Sequence, residues 1–203
     1  MITIIAGADV AKHPELMEDV WRLRHEVFVD EYGWSDIARP DGREIDRFDD
    51  EHAAHFLCHL DGELVGYSRM LPTTRPHLLS DVYPHLCDEE LIRDPQVWEW
   101  TRYAVAKPHR GRGRKLGPVA NELLTAIVAW GLQNDRRSML IQMNPLWMLV
   151  LVQLQFKPRP LGIIQKMDGA DVLAVQCGFD RRTLARLREM QPAPVEREAA
   201  KVS

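Results

Sequence analysis

A mixed α/β sandwich is the fold class this sequence predicts, and three observations predict it. Strand-like runs come in series through the first half, at Ile2 to Ala6, Ala54 to Leu60 and Glu63 to Met70. Strand and helix patterns then alternate through the second half. No Ser/Gly-rich segment or shift of composition divides the chain. Strands followed by strand–helix alternation bury their apolar faces best as helices packed on a sheet.

The elements follow in order from local chemistry. Ile2 to Ala6 is a short apolar strand. Pro14 opens a helix, and Leu16, Val20, Leu23 and Val27 recur at helical spacing. Val20, Arg24 and Phe28 are four apart and share a face, which turns Arg24 inward or toward a cleft rim. A snorkelling arginine is the plainer reading. Glu31 to Glu51 is polar and holds Gly33, Pro40 and Gly42, so it reads as a long loop. Loops of that length in compact domains often bind or cover a site. Asp61-Gly62 then joins two strand-like runs as a hairpin. Thr73 to Asp94 mixes loop and short helix, and Val97 to Val105 is another strand. Leu116, Val119, Leu123, Ile127 and Trp130 form a helical core stripe, and Met139 to Met143 a strand. Asn144-Pro145 reads as an N-cap with proline at the first helical position. The helix it opens is apolar nearly all round, which predicts burial. Val172 to Val175 is a late strand and Arg181 to Met190 a late helix.

Bulk properties narrow the function. The chain has 203 residues, enough for one substantial core. We expect a single domain over residues 1–190, with 191–203 a proline- and charge-rich flexible tail. A net charge of -4 argues against nucleic acid, whose binders are usually basic. Cys58, Cys87 and Cys177 are widely spaced, with no C-x-x-C pair, so neither a zinc site nor a disulfide framework is expected. His52, His55 and His59 lie in a strand-like run, where their spacing does not suit a metal, and no metal is assigned. No signal peptide is evident, and the most apolar stretch, Leu146 to Leu154, is too short to span a bilayer. Free thiols and these absences lead to an expected cytoplasmic location.

The chemistry concentrates around Val97 to Val105. Glu99 and Arg102 sit there among large apolar neighbours, where a lone charge is costly. They are three apart, so a regular strand would turn them to opposite faces; a bulge would re-aim one. Lys107-Pro-His-Arg-Gly-Arg-Gly-Arg-Lys115 follows and leads into a helix. Glycines admit an anion to backbone N–H groups, and a helix N-terminus favours negative charge. A pyrophosphate or phosphopantetheine group suits such a loop, although solvated turns can look the same. Equally, Glu99 and Arg102 can be members of a structural ion network, Trp34 a loop anchor, and Asp46 and Asp49 turn residues.

Arg110-x-x-Gly113, between a strand and a helix, resembles the acyl-CoA loop of the GCN5-related N-acetyltransferase fold, with Lys115 where that fold usually has a small residue. Arg24, Phe28 and Trp34, with Asp46-x-x-Asp49, Arg69 and Glu99-x-x-Arg102, resemble the acyl-homoserine-lactone synthase (autoinducer synthase) family in order, spacing and residue type. The resemblance runs from about Arg22 to Gly117 and weakens beyond Met143.

The resemblance implies a three-layer α/β/α sandwich with a central mixed, mostly antiparallel, acetyltransferase-like sheet. It also implies a reaction. The amine of S-adenosylmethionine attacks an acyl thioester, and lactonisation then releases methylthioadenosine as a quorum-sensing signal is made. Acyl-CoA or acyl carrier protein is the donor, and no prosthetic group is needed. Glu99 and Arg102 are the implied catalytic pair, Glu99 taking the amine proton directly or through water, with Arg102 orienting it or holding a substrate carboxylate. Phe28 and Trp34 are placed to meet the sulfonium. Asp46 and Asp49 are expected to pair with Arg24 and Arg69. Tyr103, Arg110, Gly113, Met143, Asn144 and Trp147 complete the implied substrate-binding set. Bulky Met143, Leu146, Trp147 and Met148 predict a short pocket for a short, branched or aryl acyl group without a 3-oxo function. The basic loop with Arg136 and Arg137 is expected to dock an acidic carrier protein or to fit CoA. The alternatives are an N-acyltransferase using another amine and a non-catalytic acyl- or adenosyl-binding sensor.

Overall fold

The computed structural model describes residues 1–111, 116–167 and 169–191. The expected tail from 192 onward and Gly113 of the basic loop lie outside the described residues.

Strand β1 (Ile2–Ala6) leads through a 3-10 turn into helix α1 (Pro14–Arg24). Helix α1 does not simply continue to Phe28. It widens into a π-helical turn, His25–Glu31, a rare geometry often found at functional sites. Strands β2 (Ala54–Leu60) and β3 (Glu63–Pro72) form the expected hairpin. Asp61 (φ 51°) and Gly62 (φ 90°) both take positive φ, as a two-residue turn of matching twist requires. Helix α2 (Leu78–Asp81), strand β4 (Val97–Val105), helix α3 (Pro118–Gln133) and strand β5 (Ser138–Met143) follow. Helix α4 (Met148–Gln153), strands β6 (Arg159–Pro160), β7 (Gln165–Met167) and β8 (Ala170–Gly178), and helix α5 (Arg181–Glu189) complete the order.

The sheet runs β1-β2-β3-β4-β5-β8-β6, with β7 also on β8. Every pairing is antiparallel except β4 with β5. Helices α1 and α2 cover one face, and α3 and α5 the other. Phe56, Met70, Leu123, Ile127 and Val175 fill the α3 side; Leu57, Tyr67, Val20 and Val27 fill the α1 side. This is the three-layer arrangement the sequence implied.

Two irregularities in β4 matter for function. Between Tyr67↔Ala104 and Arg69↔Thr101, β3 advances two residues while β4 advances three. The surplus residue makes a bulge at Arg102–Tyr103, where Arg102 takes φ 53°. Pairing of β4 with β5 also stops at Trp100↔Ile141, although β4 runs on to Val105 and β5 to Met143. The two strands part there, leaving a split in the middle of the sheet.

Two short strands are additional to the sequence reading, and one expectation fails. Strands β6 and β7 were not anticipated, because two- and three-residue strands carry no readable period. The segment from Pro145 is not buried: Leu146 is 81 % exposed, and Trp147, Leu149 and Val152 are also exposed. Helix α4 has six residues and buries only Leu151. Apolar composition buries a helix only where a layer lies above it, and here only the sheet side is covered.

Gly131 of α3 lies at close quarters with Phe179, which follows β8; a Cβ there would lie 2.4 Å from the Phe179 ring. Alanine would gain about 1 kcal/mol of helix propensity. Overpacking against a stiff ring costs about 1–3 kcal/mol. Gly131→Ala is therefore expected to lower the urea midpoint, a loss that ordinary helix propensity would reverse in sign.

Candidate active site

The parity of β4 places its charges. Val97 packs with Leu79 and Leu140 on the α2 side, and Thr101 accepts from Arg69 Nε on that same face. Trp98 and Trp100 point to the α3 side. Without the bulge, Arg102 would follow Trp100. With it, Tyr103 turns to the α3 side, where its hydroxyl donates to Ala120 O at 2.8 Å. Arg102 turns to the face of Glu99 and Thr101, as its bonds to Glu44 and Asp46 show.

There it joins a buried cluster of three guanidiniums and three carboxylates. Arg24 Nε donates to Glu44 at 2.5 Å and Nη1 to Asp49 at 2.7 Å. Arg69 grips Asp46 with two nitrogens, at 2.7 and 2.8 Å, and Asp49 at 2.6 Å. Arg102 Nε and Nη2 reach Glu44 at 3.0 and 3.1 Å, and Nη2 reaches Asp46 at 2.8 Å. Asp46 N donates to Asp49, and Phe48 N to Asp46, so the loop folds around its own carboxylates. Arg24 and Arg69 are fully buried.

Such a cluster persists only because its charges cancel. Burial alone would raise the Asp49 carboxyl; the guanidiniums of Arg24 and Arg69 outweigh it and hold the group well below the usual range. Glu44 and Asp46 are lowered in the same way, against burial, by Arg24 and Arg102 and by Arg69. Burial would lower Arg69, but Asp49 and Asp46 push it well above its ordinary value.

An aromatic wall stands beside the cluster. The π-helical turn carries Phe28, which stacks on Trp34 with centroids 5.1 Å apart, and Tyr32 closes edge-on at 6.0 Å. Arg102 lies over the Phe28 ring at 5.6 Å. Phe28 is buried, and Trp34 is 44 % exposed, leaving one aromatic face open. Among the described residues, Arg102 Nη1 has no partner, so one donor remains for a ligand carboxylate.

Glu99 is not oriented by Arg102, a correction to the sequence reading. Its Oε1 accepts from Leu79 N at 2.7 Å and Gln142 Nε2 at 2.6 Å, and its Oε2 from Leu78 N at 2.8 Å. The backbone entering α2 and a β5 side chain therefore hold it, and Arg102 belongs to the ion cluster. Arg110 donates to Val105 O at 2.7 Å and pairs with Glu31 at 2.7 Å, so it braces its loop against the π-helical turn. Met143 packs on the α3-side core, and Asn144 caps the turn at Leu146 N. Arg136 lies on Trp98 and Trp130, and Arg137 pairs with Asp94. Sixteen residues of α3 separate these arginines from the basic loop, roughly 24 Å. Arg112, Arg114 and Lys115 of that loop lie outside the described residues.

A cavity of about 410 Å³ is lined by Leu79, whose N–H donates to Glu99, and by Leu140, which pairs with Glu99 across β4 and β5. Asp88, Glu89 and Glu90 line it, which disfavours the phosphates of a CoA there. Among the described residues no group of side chains suits a metal, and no helix is long and apolar enough to cross a membrane.

Sequence reasoning missed Glu44, His77 and Gln142. Glu44 offered a signal: it continues the acidic series of Asp46 and Asp49. Gln142 and His77 offered none, since only strand pairing and the return of α2 bring them to Glu99.

Compared with known proteins, residues 9–183 match the model of a family described as autoinducer synthase. An isovaleryl-homoserine lactone synthase of Bradyrhizobium diazoefficiens is 32 % identical over 190 residues, covering 93 % of this chain and 84 % of that one. The solved structure of BjaI, a CoA-dependent acyl-homoserine lactone synthase, with SAM and isopentyl-CoA has a TM-score of 0.87 at 31 % identity, covering 95 % of this chain and 90 % of that one. An acyl-CoA N-acyltransferase from Pseudomonas aeruginosa, with a TM-score of 0.61 at 16 % identity, covers 87 % of this chain and 98 % of that one and shares the fold.

Two outcomes test the electrostatics. Glu44→Gln takes a charge from both Arg24 and Arg102 and is expected to cost about 3–5 kcal/mol in denaturant unfolding. His55, buried and accepting or donating at 2.7 Å to the Tyr67 hydroxyl, is pushed by burial from 6.5 down to about 4. Between those values the unfolded chain binds a proton that the folded one refuses. Stability should therefore fall as pH falls across that window, by about 1.4 kcal/mol per pH unit. Urea midpoints of His55→Gln should show a shallower slope there than the parent.

Proposed function

This chain belongs to the autoinducer synthase family, and on that premise we propose that it makes an acyl-homoserine lactone from S-adenosylmethionine and a short, branched or aryl acyl-CoA. The bulge at Arg102 is the observation that carries the reading. It sets a guanidinium with a spare donor beside an open aromatic face and on the Glu99 side of the split sheet.

Each part has a chemical task. The S-adenosylmethionine sulfonium rests against Phe28 and Trp34, an attraction of roughly 0.5–2 kcal/mol. Arg102 Nη1 holds the substrate carboxylate. The thioester enters the split between β4 and β5, and Glu99 receives the amine proton, directly or through water. The freed nitrogen lone pair attacks the thioester carbonyl. That attack forms the C–N bond of a tetrahedral intermediate, whose collapse re-forms the C=O and breaks the C–S bond; the leaving thiolate takes the surplus proton of the nitrogen and departs as the thiol. The substrate carboxylate then attacks the carbon beside the sulfonium. A C–O bond closes the lactone, and the C–S bond breaks with its electron pair going to sulfur, releasing neutral methylthioadenosine. That step cancels a cation against an anion, so a water-poor, charge-balanced site favours it. Cytoplasmic action follows from where both substrates are found.

The acyl preference draws support from two facts: a relative is named for an isovaleryl product, and bulky Met143 at the end of β5 and Met148 at the start of α4 pack against the same core. Leu146 and Trp147 are exposed and are dropped from that wall. Coenzyme A is favoured as carrier because BjaI, which is described as CoA-dependent, is 31 % identical and shares the fold.

Steady-state turnover with matched acyl-CoA and acyl-carrier-protein forms tests all of this. A short branched acyl-CoA is expected to exceed a long 3-oxo thioester by roughly tenfold or more in kcat/KM. One methylthioadenosine should leave per amide formed. A fastest long 3-oxo substrate would end the pocket argument. Acylation of another amine without methylthioadenosine release would mean a general N-acyltransferase, and S-adenosylmethionine binding without turnover would mean a sensor.

A further inference from the structure

One buried titratable group beside Glu99 has no task in the chemistry above. His77 is fully buried, and its ring Nδ1 lies 3.2 Å from Glu99 Oε2. The ring stands at the N-cap of α2 in a capping-box arrangement with Ser80, yet neither ring nitrogen makes a hydrogen bond of good geometry among the described residues. Glu99 Oε1 already accepts two hydrogen bonds, whereas Oε2 accepts one, from Leu78 N. The open lone pair of Oε2 is thus the one near the histidine. The backbone that carries the ring is fixed: His77 N donates to Ser80 Oγ, which in turn donates to His77 O. A modest rotation of the ring aims Nδ1–H at Oε2.

A buried polar ring without a well-formed hydrogen bond is unfavourable, and its place at the N-cap of α2 does not explain why Nδ1 lies against Glu99 Oε2. Helix α2 is already tied to Glu99 through the Leu78 and Leu79 amides. An apolar side chain of similar size would fill the same space without stranding polar atoms. What such a side chain would lack is a donor to Oε2.

We propose that His77 is a positioning residue for Glu99. Its Nδ1–H fixes Oε2 from the α2 side while Gln142 fixes Oε1 from β5, so the carboxylate keeps one orientation as it receives the amine proton. The assignment rests on Glu99 having that task in lactone synthesis.

His77→Leu and His77→Asn separate positioning from architecture, because the asparagine Nδ2 takes up nearly the place of the histidine Nδ1. For His77→Leu we expect a thermal midpoint equal to or above the parent's and a kcat lower by roughly tenfold or more, since small misplacements are costly. The KM values for S-adenosylmethionine and acyl-CoA should stay within about twofold, marking loss of an interaction that matters in the transition state. His77→Asn should recover most of kcat, and Gln142→Met should lower kcat like the leucine variant. Parental kcat in His77→Leu, a loss that asparagine does not recover, or a loss that tracks the thermal midpoint would overturn the assignment. No methylthioadenosine release by the parent chain would overturn the functional reading beneath it, and this assignment with it.

Discussion

The cancellation of charge among Arg24, Arg69, Arg102, Glu44, Asp46 and Asp49 is what the rest of this molecule depends on. Each ion alone would be untenable at that depth. Together they join α1, β3, β4 and the 44–49 loop into one rigid floor. The loop has little secondary structure of its own, and carboxylates gripped by guanidiniums replace the ladder it lacks. The floor also sets what can bind above it. Its charges are spent on one another, so the field it presents is nearly neutral. That suits a ligand such as S-adenosylmethionine, which brings a cation and an anion of its own.

Strand β4 turns this scaffold into a site by being imperfect twice. The bulge moves Arg102 from the tryptophan face to the charged face, and the early end of pairing with β5 opens the sheet. Both cost backbone hydrogen bonds that a regular strand would keep. Irregularities of this kind are usual where a sheet must aim a side chain or admit a ligand. Glu99, one turn of the strand earlier, has its donors from α2 and β5 and is independent of the ion cluster. The candidate site is thus built from two separately held halves of β4, both on one side of the split.

Much of this was legible beforehand. The three-residue spacing of Glu99 and Arg102 already demanded a bulge if both were to face one ligand. The order of Arg24, Asp46, Asp49 and Arg69 already named most of the ion cluster, and Asp61-Gly62 named the hairpin. Other expectations failed for identifiable reasons. Arg102 was paired with Glu99 because they are near in sequence, while its partner Glu44 is 58 residues away. Apolar composition predicted a buried helix after Pro145, yet burial depends on whether another layer covers it.

What the sequence by itself determined is therefore local: the elements with clear periods, the hairpin turn, the charged strand and the kind of chemistry its residues suit. Backbone propensity, side-chain alternation and residue type act over a few positions, and a single chain displays them directly. The tertiary structure alone decided which charge answers which, that Glu99 is held by α2 and Gln142, that His77 faces it, and where the sheet opens. Those outcomes rest on strand register and on contacts between segments far apart in the chain, and the energy of a buried ion depends on partners that only the folded state brings within reach.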